Sequence, residues 1–267
     1  MENLPFILGV IIPPIFYALI IYFSSPLKSL NWKSSLKAIA AGIASVTVVY
    51  TCNAFFPTWD TWTYMFEPFA QQFYVVAPKE ELSKFIAFTL VIGAIYKEGD
   101  YAHPISYMFY FAMVGLGFAL IENVGYGQRY GMDVLYIRAF TATITHMICG
   151  LLFGYWIGLG KVVRSKTQSR SLMGIWLKNK PQIKSAIYTL MGFITAVSFH
   201  GLWNYNLTVS KEAANPIMIF LLFTGLIVSR LLFRDLITQY RKSIENKKNE
   251  RKIRWNLFYP RNRRNTQ

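Results

Sequence analysis

Ionisable side chains occur inside four apolar segments of this chain, and they are the natural starting point for its chemistry. They are Glu80, Glu81, Lys84, Glu122, His146 and His200. Placing a charged side chain at the centre of a bilayer costs about 2.5–3.5 kcal/mol on insertion scales. A chain that bears this cost on four separate helices is expected to use these residues together.

Carboxylates and imidazoles that meet at one depth can hydrolyse a substrate. A carboxylate takes a proton from water, while an imidazole orients that water or donates to a developing oxyanion. Asn204 follows His200 by four residues, so it shares a helix face and supplies a second donor. Lys84 either forms a simple ion pair or keeps a catalytic carboxylate charged. The chain has no G-x-S-x-G motif, so direct attack by activated water is the simplest interpretation.

The same groups could instead bind zinc. Catalytic zinc sites use three protein ligands and keep one position open for water. The alternative zinc ligands are Glu122, His146 and His200. The chain lacks H-E-x-x-H, and each ligand would come from a different helix. Spacing alone does not decide between the two kinds of site. We predict a site without a cofactor, with zinc as the alternative.

The composition indicates a multi-pass protein of the cell membrane. Hydrophobic residues make up 54% of the 267 residues and charged residues only 15%, whereas about a quarter of a soluble domain is charged. About 20 apolar residues span a bilayer as a helix. Seven segments qualify: 5–23, 37–56, 78–96, 104–124, 137–160, 185–207 and 215–233. The predicted fold is all-α, a membrane bundle over 1–237 with a motif-bearing core at 78–207, followed by a basic tail at 238–267.

Basic residues are concentrated in two stretches, which predicts the orientation. Residues 161–184 contain seven basic residues and no acidic one. From Arg230 to the last residue there are twelve basic residues and three acidic ones. The positive-inside rule places both stretches in the cytoplasm and the N-terminus outside. Basic residues confined to loops favour membrane topology over nucleic-acid binding, and no nucleic-acid partner is expected. The tail, with Trp255 and Phe258 among its arginines, is expected to contact anionic lipid headgroups.

This topology places all the polar residues in the outer half of the bilayer. With a rise of 1.5 Å per residue, His146 lies about 12 Å and His200 about 10 Å from the outer ends of their helices. Small residues recur every four positions beside each histidine, for example at Gly150 and Ala196. Such stripes mark close helix packing, so both histidines are predicted to point into the bundle.

Four separated motifs give the chain a family resemblance. They are Glu80-Glu81-x-x-Lys84, Phe118-Ala119-x-x-Glu122-Asn123, His146-x-x-x-Gly150 and His200-x-x-x-Asn204. Their order, with each motif on its own span, resembles the PrsW-type intramembrane proteases, relatives of the CAAX-processing and bacteriocin-associated glutamate proteases. Glutamate at position 122, where the wider superfamily often has histidine, favours the PrsW branch.

The resemblance implies cleavage of single-span membrane proteins, such as an anti-sigma factor, at a site reached from the extracytoplasmic side. It implies that Glu80 or Glu81 activates water, and that Glu122 and His146 position it or shuttle the proton. His200 with Asn204 would stabilise the oxyanion. A zinc-dependent mechanism stays open. A proton-coupled transporter, an immunity protein or a receptor is the alternative from another class, because intramembrane carboxylates and histidines also form proton relays.

Overall fold

The computed structural model describes residues 3–24, 30–55, 68–97, 103–164, 181–210 and 215–258. Within these ranges every regular element is helical, which confirms the all-α prediction. The elements are α1 (Asn3–Ser24), α2 (Trp32–Phe55), α3 (Pro68–Gln71), a π-helical segment (Gln72–Val76), α4 (Ala77–Lys97), α5 (Ser106–Tyr130), α6 (Met132–Phe140), α7 (Ala142–Arg164), α8 (Pro181–Ser210) and α9 (Pro216–Phe258). Much of the basic loop predicted to be cytoplasmic, residues 165–180, lies outside the described residues.

Six helical segments of the described chain are long and apolar enough to cross a membrane. They correspond to α1, α2, α5, α6 with α7, α8 and the first part of α9, and they confirm a multi-pass membrane bundle. The predicted third span exists as the 21-residue helix α4. It is not among the six because it carries three charged residues close together, Glu80, Glu81 and Lys84. Helix α4 nevertheless packs against α2 and α8 within the bundle, and the count of seven spans and their orientation stay predictions.

Helix α5 is the centre of the bundle, and every residue from 106 to 119 is buried. It packs most extensively against α7, then against α2 and α1. A Cβ atom added at Gly115 would lie 2.2 Å from the backbone oxygen of His146, and one at Gly150 would lie 2.3 Å from that of Phe111. The close helix packing that the small-residue stripe predicted is therefore present, and it brings the backbone of α7 directly against α5.

The predicted fifth span, 137–160, is wrong as a single helix, because the chain breaks at Thr141. There the backbone leaves the helical region, with φ −124° and ψ −82°, and separates α6 from α7. Gly131, at φ 87°, makes the preceding turn between α5 and α6, a conformation that glycine adopts without steric cost. The turn at Gly131 and the break at Thr141 bound α6, whose Arg138 reaches Glu122 of α5.

The wide turn before α4 sets the position of the glutamate pair. Pro78 has no backbone N–H to continue a regular helix, and the N–H of Ala77 donates to the carbonyl of Gln72, five residues earlier. Such π-helical turns occur mostly at functional sites. This turn joins α3 to α4 and puts Gln72 and Glu80 against the outer part of α8.

Helix α9 has 43 residues and continues to Phe258. It crosses the predicted boundary at residue 237 without interruption. The tail that is predicted to contact lipid headgroups is thus helical to Phe258, and residues 259–267 lie outside the described residues. The division into a membrane domain and a cytoplasmic tail stays a prediction.

Candidate active site

Four helices bring the predicted ionisable residues into one connected cluster. Helix α4 contributes the glutamate pair and the lysine, and α5, α7 and α8 contribute one residue each. The members are Glu80, Glu81, Lys84, Glu122, His146 and His200. All of them except Glu122 are buried, and Glu122 is partly exposed. The convergence predicted from separate spans is therefore a feature of the structure.

Glu81 is held in place by two charge-assisted contacts. Its Oε1 accepts hydrogen bonds from Lys84 Nζ at 2.7 Å and from His200 Nδ1 at 2.7 Å. The side chain is 1% exposed and does not line the cavity described below. Its surroundings make Glu81 an orienting group, which fixes the ring of His200.

Lys84 links the glutamate pair to His146. Its Nζ lies 3.0 Å from Nδ1 of His146 and 4.2 Å from the ring centre of Phe118. An ammonium group has no acceptor, so Nδ1 accepts and the ring proton resides on Nε2. That nitrogen lies 2.7 Å from Oε2 of Glu122 and donates to it. Both nitrogens of His146 are thus engaged.

Arg138 anchors the other end of the cluster and is not among the residues predicted for the site. Its Nη2 donates to Oε2 of Glu122 at 2.7 Å and its Nε to Oδ1 of Asn123 at 2.8 Å. The guanidinium also stacks 3.7 Å from the ring centre of Tyr126. Asn123 in turn donates to Oγ1 of Thr143 at 3.0 Å. The sequence signal was available, since Arg138 is a basic residue inside an apolar segment.

Glu80 differs from the other two carboxylates. Its Oε2 is buried and has no hydrogen-bond partner among the described residues. The nearest polar partner is Nε2 of His200, 3.6 Å away. When His200 is neutral and its Nδ1 donates to Glu81, Nε2 carries a lone pair, so two acceptors face each other across a gap. A water molecule that donates one hydrogen to each would satisfy both.

Charges in the cluster leave Glu80 as the unpaired carboxylate. Glu81 pairs with Lys84, and Glu122 pairs with Arg138, both at 2.7 Å. Among the described residues, the ionic contact recorded for the Glu80 carboxylate is with the imidazole of His200, at 3.6 Å. A carboxylate that has neither a cation nor a full set of donors is the one best able to take a proton.

A cavity of about 210 Å³ lies at the end of the bundle where α4 begins and α8 ends. Glu80, Glu122, His146 and His200 line it together with Asn204. The remaining wall includes Gln72, Tyr126, Arg138, Trp203 and Thr208. In the predicted topology this is the extracytoplasmic end. The cavity gives Glu80 and His200 a common opening to a substrate.

The metal-ligating groups partly fit a zinc ion. Ligand atoms of Glu80, His146 and His200 lie within 4.8 Å of one another. This set contains Glu80 in place of Glu122, which was the carboxylate predicted as a zinc ligand. His200 has the neighbour that zinc-bound histidines use, because its Nδ1 donates to a carboxylate. His146 would first have to give up Lys84 or Glu122 to free a lone pair.

Comparison with known proteins gives the same family as the four motifs. A family model described as PrsW family intramembrane metalloprotease matches residues 31–229. The chain belongs to this family. The matched region contains every residue of the cluster.

Individual members of the family show similarity over shorter stretches. The chain is 25% identical to Protease PrsW of Bacillus subtilis over 146 residues, 54% of this chain and 60% of that protein. It is 30% identical to Protease PrsW of Oceanobacillus iheyensis over 93 residues, 35% of this chain and 42% of that protein. Protease PrsW of Geobacillus kaustophilus is 28% identical over 99 residues, 37% of this chain and 43% of that protein. The chain thus spans about half the length of these relatives, and no solved structure matches it.

Proposed function

We propose that this protein is an intramembrane endopeptidase that hydrolyses membrane-anchored proteins with water activated by Glu80. The observation that carries the proposal is the buried, unpartnered Oε2 of Glu80, 3.6 Å from Nε2 of His200 at the wall of the cavity. Family membership and the protease names of the relatives support the same reaction class.

In the first step, water held between Glu80 and His200 attacks the carbonyl carbon of the scissile peptide bond. Glu80 takes one proton from the water as the new C–O bond forms, and the carbonyl oxygen becomes an oxyanion. In the second step the C–N bond breaks, and the protonated Glu80 gives its proton to the departing amine nitrogen. One carboxylate therefore transfers the proton from water to the amine, acting first as base and then as acid.

Asn204 stabilises the oxyanion in this scheme. Its side chain lines the cavity one turn from His200 and makes no side-chain hydrogen bond with another described residue, so its amide is free to donate. The resemblance implies that His200 and Asn204 together stabilise the oxyanion, whereas in this scheme the two residues have different roles. The neutral tautomer of His200 orients water through Nε2, and the oxyanion donor is Asn204.

The rest of the cluster positions the reacting groups. Glu81 fixes His200, and Lys84 keeps Glu81 charged at 2.7 Å. His146 and Glu122 continue the hydrogen-bond network to Arg138. A rigid, fully connected network of this kind holds catalytic groups to within fractions of an ångström.

The position of the cavity supports the substrate class that we propose. Helices α4 and α8, whose ends form it, are embedded in a bundle of membrane-spanning helices. A single-span protein cut near the extracytoplasmic surface, such as an anti-sigma factor, is the substrate we propose. A peptide bond there must leave its helix, because an intact helix shields its carbonyl carbons from attack.

A transporter requires the polar path to continue across the membrane, and apolar rings lie next to the cluster instead. Phe85, one residue after Lys84, stacks on Phe153 with ring centres 5.4 Å apart. Phe111 packs on the same ring at 4.8 Å. Phe111 and Phe153 are at most 2% exposed, and such a barrier favours a hydrolase over a proton-coupled transporter.

A zinc-dependent protease is the second candidate, favoured by the family description and by the clustered ligand atoms. Glu80, His146 and His200 would hold the ion, which would activate water as a Lewis acid when bound. This candidate requires His146 to exchange one of its present hydrogen bonds for the ion.

The test of the proposal is cleavage of a single-span reporter substrate in vesicles. We expect Glu80→Gln to abolish cleavage, because an amide cannot take the proton. Glu245→Gln, the same change at an exposed position of α9, is the matched control and should cleave normally. Full cleavage by the Glu80→Gln/Glu81→Gln double variant would refute the mechanism.

Metal content separates the two protease mechanisms. The glutamate mechanism predicts that active, purified protein retains full activity after exhaustive chelation and contains no stoichiometric zinc. Loss of activity on chelation, with recovery when zinc is restored, would establish the second candidate instead.

A further inference from the structure

A second cavity, of about 170 Å³, lies far along the bundle from the catalytic one. Helices α1 and α9 form its walls, and α5 and α7 contribute Met108, Phe109 and Leu151 to its floor. Two features of its lining indicate a ligand. Ser229 carries a hydroxyl group and Arg230 a guanidinium, and the cavity lining is apolar apart from these two residues and Ser24.

The hydroxyl group of Ser229 is buried without a partner. Ser229 is 4% exposed, and its Oγ makes no hydrogen bond with any described residue. Many helical hydroxyls of this protein donate to the carbonyl three or four residues earlier, as Thr238 does to Arg234 in the same helix. Ser229 does not, and it lines the cavity. A buried donor left unsatisfied costs about 1–3 kcal/mol, and this favours an acceptor in the cavity.

Arg230 supplies the charge for that acceptor. Its guanidinium lies 5.6 Å from the ring centre of Phe233, and it forms no ion pair with a described residue. Arg230 is exposed on a membrane-spanning helix, where a guanidinium needs an anionic partner or access to the headgroups. Its planar donor geometry matches the oxygens of a phosphate group.

Polar and apolar groups are arranged in the same order along both walls. On α1, Ser24 follows Ile20 by four residues, and on α9, Arg230 follows Leu226 by four. In the predicted topology both helices run toward the cytoplasm, so the polar residues mark the cytoplasmic end of the cavity. Ile20 is 45% and Leu226 37% exposed, which leaves an apolar surface that continues toward the bilayer centre.

From this arrangement we infer that the cavity between α1 and α9 binds an anionic phospholipid of the cytoplasmic leaflet. The headgroup phosphate accepts from Arg230 and Ser229, and an acyl chain extends along Ile20 and Leu226. Basic pockets between membrane helices on the cytoplasmic side are typical sites for such headgroups. This site is separate from the basic tail, and it does not depend on the proposed catalytic activity.

The experiment uses the full chain, purified and delipidated in a mild detergent. Thermal unfolding is followed while phosphatidylglycerol, phosphatidylcholine with the same acyl chains, or inorganic phosphate is added, because a ligand that binds the folded state raises the melting temperature. We expect stabilisation by phosphatidylglycerol only. Equal stabilisation by phosphatidylcholine would show unselective lipid contact, and equal stabilisation by inorganic phosphate a free-anion site; either result overturns the inference.

Two variants locate the site. Arg230→Gln should weaken the affinity for phosphatidylglycerol about tenfold or more, the value of a charge-assisted hydrogen bond. Arg234→Gln removes the same charge one turn farther along α9, outside the cavity lining, and should leave the affinity unchanged. Equal losses in both variants would refute the site.

Ser229→Ala gives a readout that a merely structural serine would not change. Without lipid the variant should be as stable as the parent or slightly more stable, because an unsatisfied hydroxyl is removed. With phosphatidylglycerol its affinity should fall about fivefold, the value of a neutral hydrogen bond. An unchanged affinity would contradict the role of Ser229.

Discussion

Lys84 is the cation at the centre of the candidate site, and its replacement by methionine is the most informative perturbation. Its Nζ lies 2.7 Å from Oε1 of Glu81 and 3.0 Å from Nδ1 of His146, and its side chain is 3% exposed. Removing one partner of a buried ion pair costs about 3–5 kcal/mol, because the remaining charge is left unpaired. We expect Lys84→Met to lower the free energy of unfolding by that amount.

A double-mutant cycle tests the physical reason. Glu81→Gln leaves Lys84 as an unpaired buried cation, so it should cost about as much as Lys84→Met. The double variant Lys84→Met/Glu81→Gln leaves no buried charge from this pair, and the introduced amide oxygen can still accept from His200. Its cost should be close to that of one single variant, which gives a coupling energy of about 3–5 kcal/mol in magnitude. Cleavage should be impaired in all three variants, because the network that positions His200 and His146 is changed.

The assay is unfolding by increasing fractions of sodium dodecyl sulfate in mixed micelles, followed by circular dichroism. Lys242→Met, the same substitution at an exposed position of α9, is the control and should change stability by less than about 0.5 kcal/mol. Additive costs in the double variant, or a Lys84→Met variant as stable as the control, would refute the assignment of a buried, mutually dependent pair.

Three further predictions concern packing, catalysis and the anchor of the network. Gly115→Ala should destabilise the fold by about 1–3 kcal/mol or more, because its Cβ would lie 2.2 Å from the backbone of α7. Gly125→Ala on the same helix is the control: its Cβ would have its nearest neighbour at 4.0 Å, so the same unfolding assay should show little change. Asn204→Ala should lower kcat about 10²–10³-fold, as loss of an oxyanion donor does, while Asn206→Ala, outside the cavity lining, should not; equal rates would exclude the oxyanion role. Arg138→Gln should cost about 1.5–3 kcal/mol through its hydrogen bond to a carboxylate, measured as above, and a neutral outcome would show that the network needs no cation at this end.

Local sequence patterns were sufficient for the fold class and for six of the residues that meet in the cluster. Hydrophobic length determined the membrane bundle, because about 20 apolar residues must form a helix to cross a bilayer. The four-residue spacing around His146 and His200 determined which helix face is buried, since residues four apart lie on one face. The cost of ionisable groups in apolar segments selected the members of the cluster, and the family match confirms the resemblance that these motifs carried.

Only the tertiary structure distinguished the two adjacent glutamates. Successive residues on a helix point about 100° apart, and the sequence does not say which direction faces a cavity. The packing of α4 against α8 turns Glu81 toward Lys84 and His200, and turns Glu80 toward the cavity. The position of Arg138 also depends on tertiary structure. The helix breaks at Thr141, and Arg138 on α6 contacts Glu122 on α5. The residue types determine which side chains are costly to bury, whereas the hydrogen-bond partner of each side chain depends on contacts between residues distant in the chain.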